Sequence, residues 1–270
     1  MGKYFIISLG VALTWSVIAV LAGCCIDVAD IFKVKYTKTE YISVPVTDLA
    51  ELYVEAEVGS ITIKGADVTD CNITAEISVR AGTKEKARKL AEQIRVEAET
   101  HDGKLSIKTV KPTTLKRNWL TVDYKITAPS QLNLDCTVRV GAIKISDVEG
   151  QIRASANVGS ITCNQAAADI NLQVNVGSVE IKYSNTAPAT CNVDIVTNVG
   201  SIDFTGPPQL SAQIDARTNI GSIKTGRPIT VLPRGQRSEL GKVGRTLKGT
   251  IGSGQAEVHL KTNVGSIEIK

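Results

Sequence analysis

Residue types able to do chemistry are few in this chain, and their spacing sorts the candidates. Asp194 and Asp215 each stand six residues ahead of a glycine, Gly200 and Gly221, in what read as adjacent units. Paired carboxylates on neighbouring strands can act as general acid and base on a glycosidic bond, which makes the pair a candidate catalytic site. The aromatic platforms that usually accompany such a cleft are missing, and stacked acids are common on repeat surfaces. Asn157, Asn175, Asn198, Asn219 and Asn263 each stand two residues ahead of a glycine. Stacked in register they form a row of amides bonded from unit to unit, which is first a structural ladder and second a repeated ligand-binding face. Metal chemistry is not expected, because His101 and His259 are the only histidines and no CxxC occurs. No nucleotide-binding loop or Ser/His/Asp set is visible either, so no cofactor and no enzymatic activity are expected.

A cationic segment is the other candidate. Residues 224–248 hold seven basic side chains against one acid, Glu239, among several glycines and prolines that mark a loop. Arg227, Arg234, Arg237, Lys242, Arg245 and Lys248 are the candidates for contact with an anionic surface. The plainer reading is a solvated excursion. Aromatics are not interleaved with the cations, which speaks against nucleic acid.

The elements that position these residues follow from one recurring phrase. Val-Gly-Ser-Ile or a near copy appears eight times, beginning at Val58, Val140, Val158, Val176, Val199, Ile220, Ile251 and Val264. From Gly141 to Gly221 the glycines lie 18, 18, 23 and 21 residues apart, the spacing of stacked structural units. Counting back from each glycine, odd offsets are apolar and even offsets mostly polar, as in Ile170, Leu172, Val174 and Val176. That alternation is a strand with one buried face. Beyond the glycine the apolar positions shift by one, to Val179 and Ile181, so the Gly-Ser pair absorbs a residue of parity as a corner must. Each unit is thus strand, corner, short strand and return, and stacking buries what one unit cannot. The expected fold is all-β, a β-solenoid of stacked ~20-residue rungs, with one amphipathic helix in the N-terminal part. Aromatics at only 4% fit thin β-branched layers better than a large enzyme core. Glu180, Asp203 and Lys224, three residues past their glycines, read as an exposed ion ladder in successive rungs.

Four segments are expected. Residues 1–24 form an export signal: Lys3 precedes an uncharged run that closes on Leu21-Ala22-Gly23-Cys24. This tetrapeptide resembles the bacterial lipoprotein signal, in which Cys24 would carry the lipid; the alternative is an uncleaved anchor. Residues 25–40 read as a tether. Residues 41–130 form an N-terminal β region whose helix spans 83–100, capped by Thr83 and covering a sheet with Ala87, Leu90, Ala91 and Ile94. Residues 131–270 form the regular solenoid, interrupted by the basic loop 224–248. Cys71, Cys136, Cys163 and Cys191 allow three pairings in an exported compartment, but Cys136 and Cys163 fall at core positions and read as small buried hydrophobes.

The segment Val122-Asp123-Tyr124-Lys125-Ile126-Thr127-Ala128-Pro129, followed by Leu132-Asn133-Leu134 and the Gly-Ser-Ile rungs, resembles the bacterial putative adhesin domain, a family of unknown function. The helix with Leu105-Ser106-Ile107-Lys108 and the closing Val264-Gly265-Ser266-Ile267 belong to the same resemblance, which spans roughly residues 45–270. It implies a β-solenoid on the cell envelope and supplies no catalytic or binding residues. The expectation is an exported, lipid-anchored envelope protein acting by binding or scaffolding. Its expected partners are the membrane, through the lipid, and an envelope glycan, anionic lipid or protein. The alternatives are an envelope-stress sensor or accessory protein, since related domains accompany such sensors, and an enzyme acting on polysaccharide.

Overall fold

The computed structural model describes residues 33–113, 115, 119–231 and 244–270. The signal segment with Cys24, the tether up to residue 32, and Arg234, Arg237 and Lys242 of the basic loop lie outside the described residues.

Seven strand pairs follow the plan of the repeat. They are β2 (Glu51–Val58) with β3 (Ile61–Ala66), β8 (Asn133–Val140) with β9 (Ile143–Ser146), β10 (Ile152–Val158) with β11 (Ile161–Ala166), and β12 (Ile170–Val176) with β13 (Val179–Tyr183). The remaining pairs are β14 (Val193–Val199) with β15 (Ile202–Thr205), β16 (Ala212–Ile220) with β17 (Ile223–Thr225), and β20 (Ala256–Val264) with β21 (Ile267–Ile269). The first strand of every pair joins one sheet and the second joins another, the pairs stacking on one another in parallel, and the core lies between the sheets. The molecule is a β-solenoid-like stack. Within β12, Ile170, Leu172 and Val174 face inward and are buried, as the alternation predicts.

Why a glycine turns each corner is visible at Gly177. Its φ is +142°, a region L side chains rarely adopt, and a Cβ there would lie 1.6 Å from the Gly159 carbonyl oxygen of the preceding rung. The same contact recurs from Gly141 on Gly59 through Gly265 on Gly200 and Gly221 on Gly265. Each corner therefore rests its backbone in the space a side chain would need. The backbone bonds repeat too: Gly159 N–H donates to Val176 O (2.9 Å) and Ile161 N–H to Ser178 O (3.1 Å). At the N-terminal end, where no further corner follows, Ser60 N–H (2.8 Å) and Oγ–H (2.7 Å) both donate to the Asp123 carboxylate.

Toward the other end the last inward position before the glycine becomes threonine, at Thr197, Thr262 and Thr218, all buried. Thr262 and Thr218 donate their hydroxyls to the carbonyls of Gly200 (3.0 Å) and Gly265 (2.9 Å). A buried hydroxyl without such a partner would cost stability.

The structure departs from the sequence expectation in five places. First, the rungs do not stack in sequence order. The last pair, β20 and β21, inserts between β14–β15 and β16–β17, so β20 pairs in parallel with both β14 and β16. Second, the Ile251-Gly252-Ser253-Gly254 copy is no corner. It is the turn from β19 (Arg245–Ile251) into β20, tied to Ser211 by Ser253 N–H (3.0 Å). β19 pairs antiparallel with β16 at the sheet end and carries β18 (Thr230–Val231) beyond it.

Third, the residue just ahead of each glycine is not in the core. Val158, Val176, Val199 and Val264 are each 42% exposed. The strand register skips the residue two before the glycine, so parity is lost one step earlier than the corner and the valine faces solvent.

Fourth, the helix α1 is short, Lys84–Glu92, and residues 95–100, expected to continue it, belong to β5 (Arg95–His101). Thr83 Oγ1 accepts from Lys86 N–H (3.2 Å) as a cap, and Ala87 and Ala91 are buried. β5 pairs antiparallel with β6 (Lys104–Val110) across Asp102 and Gly103, whose φ values of 48° and 74° suit a tight two-residue hairpin turn. The hairpin bonds outweigh the helix preference of Glu97, Ala98 and Glu99, a weak prior that tertiary pairing overrides.

Fifth, the tether is structured from Val34 onward. β1 (Val34–Pro45) pairs antiparallel with β4 (Asp70–Ala81), and β4 with β7 (Leu120–Pro129), extending the sheet that holds β3. Charged residues on its inward side hid the strand pattern. Lys38 Nζ donates to Glu40 (2.7 Å) and to Ile94 O (2.5 Å), and Glu40 accepts from Val96 N–H (2.8 Å). An inward ion pair on an outermost strand also protects it from pairing with other chains.

Candidate functional site

The outer face of the sheet that carries β8, β10, β12, β14 and β20 gathers the sequence candidates. Its register is fixed by parallel pairing, so residues at equal offsets form columns. Asparagines form the column nearest the corners, and their amides bond head to tail. Asn175 Nδ2 donates to Asn157 Oδ1 (3.1 Å), Asn198 to Asn175 (3.2 Å), Asn263 to Asn198 (2.7 Å) and Asn219 to Asn263 (3.1 Å). All five expected residues are thus brought together, with Asn263 between Asn198 and Asn219 because its rung is inserted there. Glu57 and Arg139 continue the column at the N-terminal end. They went unrecognised in the sequence, although their offset from Gly59 and Gly141 is the same.

Beside the ladder runs a second column, Thr137, Ser155, Gln173, Val196 and Lys261, in mutual register. Most of its side chains are shorter than their flanks, and the two columns enclose a shallow trough of about 520 Å³. A further depression of about 310 Å³ lies over Arg153, Asn171, Asp194 and His259 on the same face.

The proposed acid pair does not assemble. His259 stands between Asp194 and Asp215 in the register, which puts the carboxylates two strands, roughly 10 Å, apart. Asp215 is engaged elsewhere: Arg217 Nε donates to it at 2.7 Å, and Lys248 Nζ lies 3.1 Å away. The Arg217 hydrogen bond, with Lys248 beside it, holds the Asp215 carboxyl below the usual carboxylate range. The ion ladder is also reordered. Glu268 separates Asp203 from Lys224, and Lys270 bridges Asp203 (2.7 Å) and Glu268 (3.5 Å).

The described basic residues do not form one patch. Arg227 is spent on structure, its guanidinium donating to Pro207 O (2.8 Å) and Gly206 O (2.7 Å). Lys248 pairs with Asp215, and Arg245 opens β19 opposite Thr218. Among the described residues no group of three or more His, Cys, Asp or Glu side chains is placed to hold a metal ion. No helix among them is long and apolar enough to cross a membrane.

The thiols of Cys71, Cys136, Cys163 and Cys191 are free and buried. Burial pushes those of Cys71 and Cys163 up to about 12 and Cys191 to about 11, and raises Cys136 as well. Since the thiolate is the reactive form, these four should stay unlabelled by a thiol reagent at pH 8 while folded, and all should react in denaturant. Fast labelling of any one of the four would contradict their burial.

Residues 25–270 match the Toastrack DUF4097 family model. The chain belongs to the Toastrack DUF4097 family. The match runs through the β1–β4–β7 extension as well as the rungs, so both lie within one Toastrack unit. Among solved structures, it is similar to a putative cell adhesion protein from Clostridium sporogenes, with 15% identity, TM-score 0.47, and coverage of 87% of this chain and 99% of that one. It is similar also to a putative adhesin from Bacteroides fragilis, with 13% identity, TM-score 0.34, and coverage of 86% and 97%. A putative lipid binding protein from Parabacteroides distasonis aligns at 11% identity and TM-score 0.26, with coverage of 86% and 97%. No curated protein matches this Toastrack chain.

Proposed function

We propose that this Toastrack chain is an exported, lipid-anchored envelope protein that works by binding, with the asparagine-lined sheet face as its binding surface. The observation that carries this reading is the trough itself, a continuous row of mutually bonded amides beside a floor that is neutral across β10, β12 and β14. Anchoring rests on Leu21-Ala22-Gly23-Cys24. Nine residues separate Cys24 from Val34, where β1 begins, and the ten steps between the two reach at most ~35 Å, so a lipid on Cys24 would keep the solenoid close to the bilayer.

Two measurements test the reading. Cys24→Ala should move the full-length protein from the membrane to the soluble fraction; unchanged fractionation removes the lipid from the account. Full-length wild type should retain material from envelope extracts, Gln173→Trp should lose it by filling the trough, and Thr162→Trp on the opposite sheet should keep it. Equal retention by the wild type and the Gln173 variant would remove the trough from the account.

A further inference from the structure

We infer that the trough takes an uncharged glycan chain carrying N-acetyl groups, laid along the solenoid axis with about one sugar per rung. The inference rests on the binding reading above and names its ligand.

Charge narrows the field first. Across the rungs of β10, β12 and β14, both columns of the trough are neutral: Asn157, Asn175 and Asn198 beside Ser155, Gln173 and Val196. Charged side chains appear toward the ends, with Glu55, Glu57 and Arg139 at one and Lys261 with its register partner Arg217 at the other. A phosphate-bearing polymer would find no cation over the middle of its path, and charged groups on any ligand would lose water there without a partner.

Repeat length narrows it again. Rungs follow one another at the usual strand separation of ~4.8 Å, so the five asparagines span roughly 19 Å. An extended polypeptide presents like-facing amides every second residue, about 6.6 Å apart, and falls out of step within three rungs. A β-1,4-linked sugar chain turns over at each sugar, so its like-facing acetamido groups recur every second sugar, close to two rung spacings, and stay in step with alternate rungs.

The remaining bonding capacity then selects the functional group. An asparagine amide has two N–H donors and a carbonyl oxygen with two lone pairs. In the interior of the ladder one donor and one lone pair are spent on the neighbours, which leaves one of each per rung. An acetamido group offers the complement, one N–H and one C=O. Its methyl, and the C–H faces of the sugar ring, find Val196, 38% exposed in the floor, and the exposed valines such as Val176 at the corner edge.

The test uses full-length protein in detergent with defined oligosaccharides, read by titration calorimetry. N-acetylglucosamine oligomers of increasing length are the probe, with their deacetylated and glucose counterparts as comparison. Affinity should rise with each sugar until the oligomer covers the asparagine row and then level off. Deacetylated and glucose oligomers should bind at least tenfold more weakly. Asn175→Ala combined with Asn198→Ala should weaken binding at least tenfold while circular dichroism stays unchanged. If that pair disturbs folding, Ser155→Trp, which fills the floor and leaves the ladder intact, should give the same loss. Equal affinity for acetylated and glucose oligomers, affinity independent of length, or binding unaffected by Ser155→Trp would each overturn the inference. Retention of envelope material by a wild type that binds no oligomer would also overturn it, leaving the binding surface with a ligand of another class, such as an extended peptide. Loss of both would end both readings.

Discussion

Gly177→Ala should destabilise the protein by several kcal/mol, although it adds one methyl at a solvent-facing corner. Two costs act together. The residue must hold φ near +142°, and an L residue forced into such a sparsely allowed conformation costs on the order of 1–3 kcal/mol. The added Cβ would also lie 1.6 Å from Gly159 O and 2.6 Å from Gly159 C, both backbone atoms that cannot swing aside. Moving them means moving the next corner, where Gly159 repeats the same contact with Gly141. A loss of this size is a large share of the ~5–15 kcal/mol that holds a domain folded. Gly82→Ala is the matched control, since a Cβ there meets nothing within 4 Å. Urea unfolding should place Gly82→Ala close to wild type and Gly177→Ala far below it. If the two variants melt together, the corner column is not what spaces the rungs.

Removing residues 255–270 should abolish cooperative folding of the C-terminal half, a larger effect than trimming a chain end would suggest. That segment supplies β20 and β21, which are interior strands flanked on both sides. It buries Val258, Leu260, Ile267 and Ile269 almost completely. At ~1.5–3 kcal/mol per fully buried side chain, these four alone account for about 6–12 kcal/mol. Without the segment β16 loses its parallel partner, and the Thr262 hydroxyl is gone from Gly200 O. Limited proteolysis should cut the truncated chain between β14 and β19 while sparing the rungs of β8 to β12. Protection of β16 in the truncated chain would show that the two parts can close on each other without the inserted rung.

What the sequence disclosed was local. Residues three, five and seven before each corner glycine face inward as their alternation implies, and Ile161 and Cys163 resume the inward set beyond the corner. The asparagine column was legible for the same reason, since a fixed offset from a repeated glycine becomes a fixed place in the stack. The stacking order was not, because periodicity says where a residue lies within a rung and nothing about which rung comes next. That is why Asp194 and Asp215 looked adjacent and are separated by His259. β1 escaped notice because Lys38 and Glu40 occupy its inward side, satisfied by each other and by the backbone at Ile94 and Val96. The trough also needed three dimensions, since Val196 and Gln173 attract no attention until Asn175 and Asn198 stand beside them.

The amide ladder has one property that a row of identical residues need not have. Every N–H in it points toward the β10 end and every C=O toward the β16 end, from Asn219 through Asn263, Asn198 and Asn175 to Asn157. The side-chain dipoles therefore add along the row, as peptide dipoles add along a helix. An unbranched polymer lying on this face meets a different sequence of donors and acceptors when its ends are exchanged. The face is a vector, with a donor end and an acceptor end.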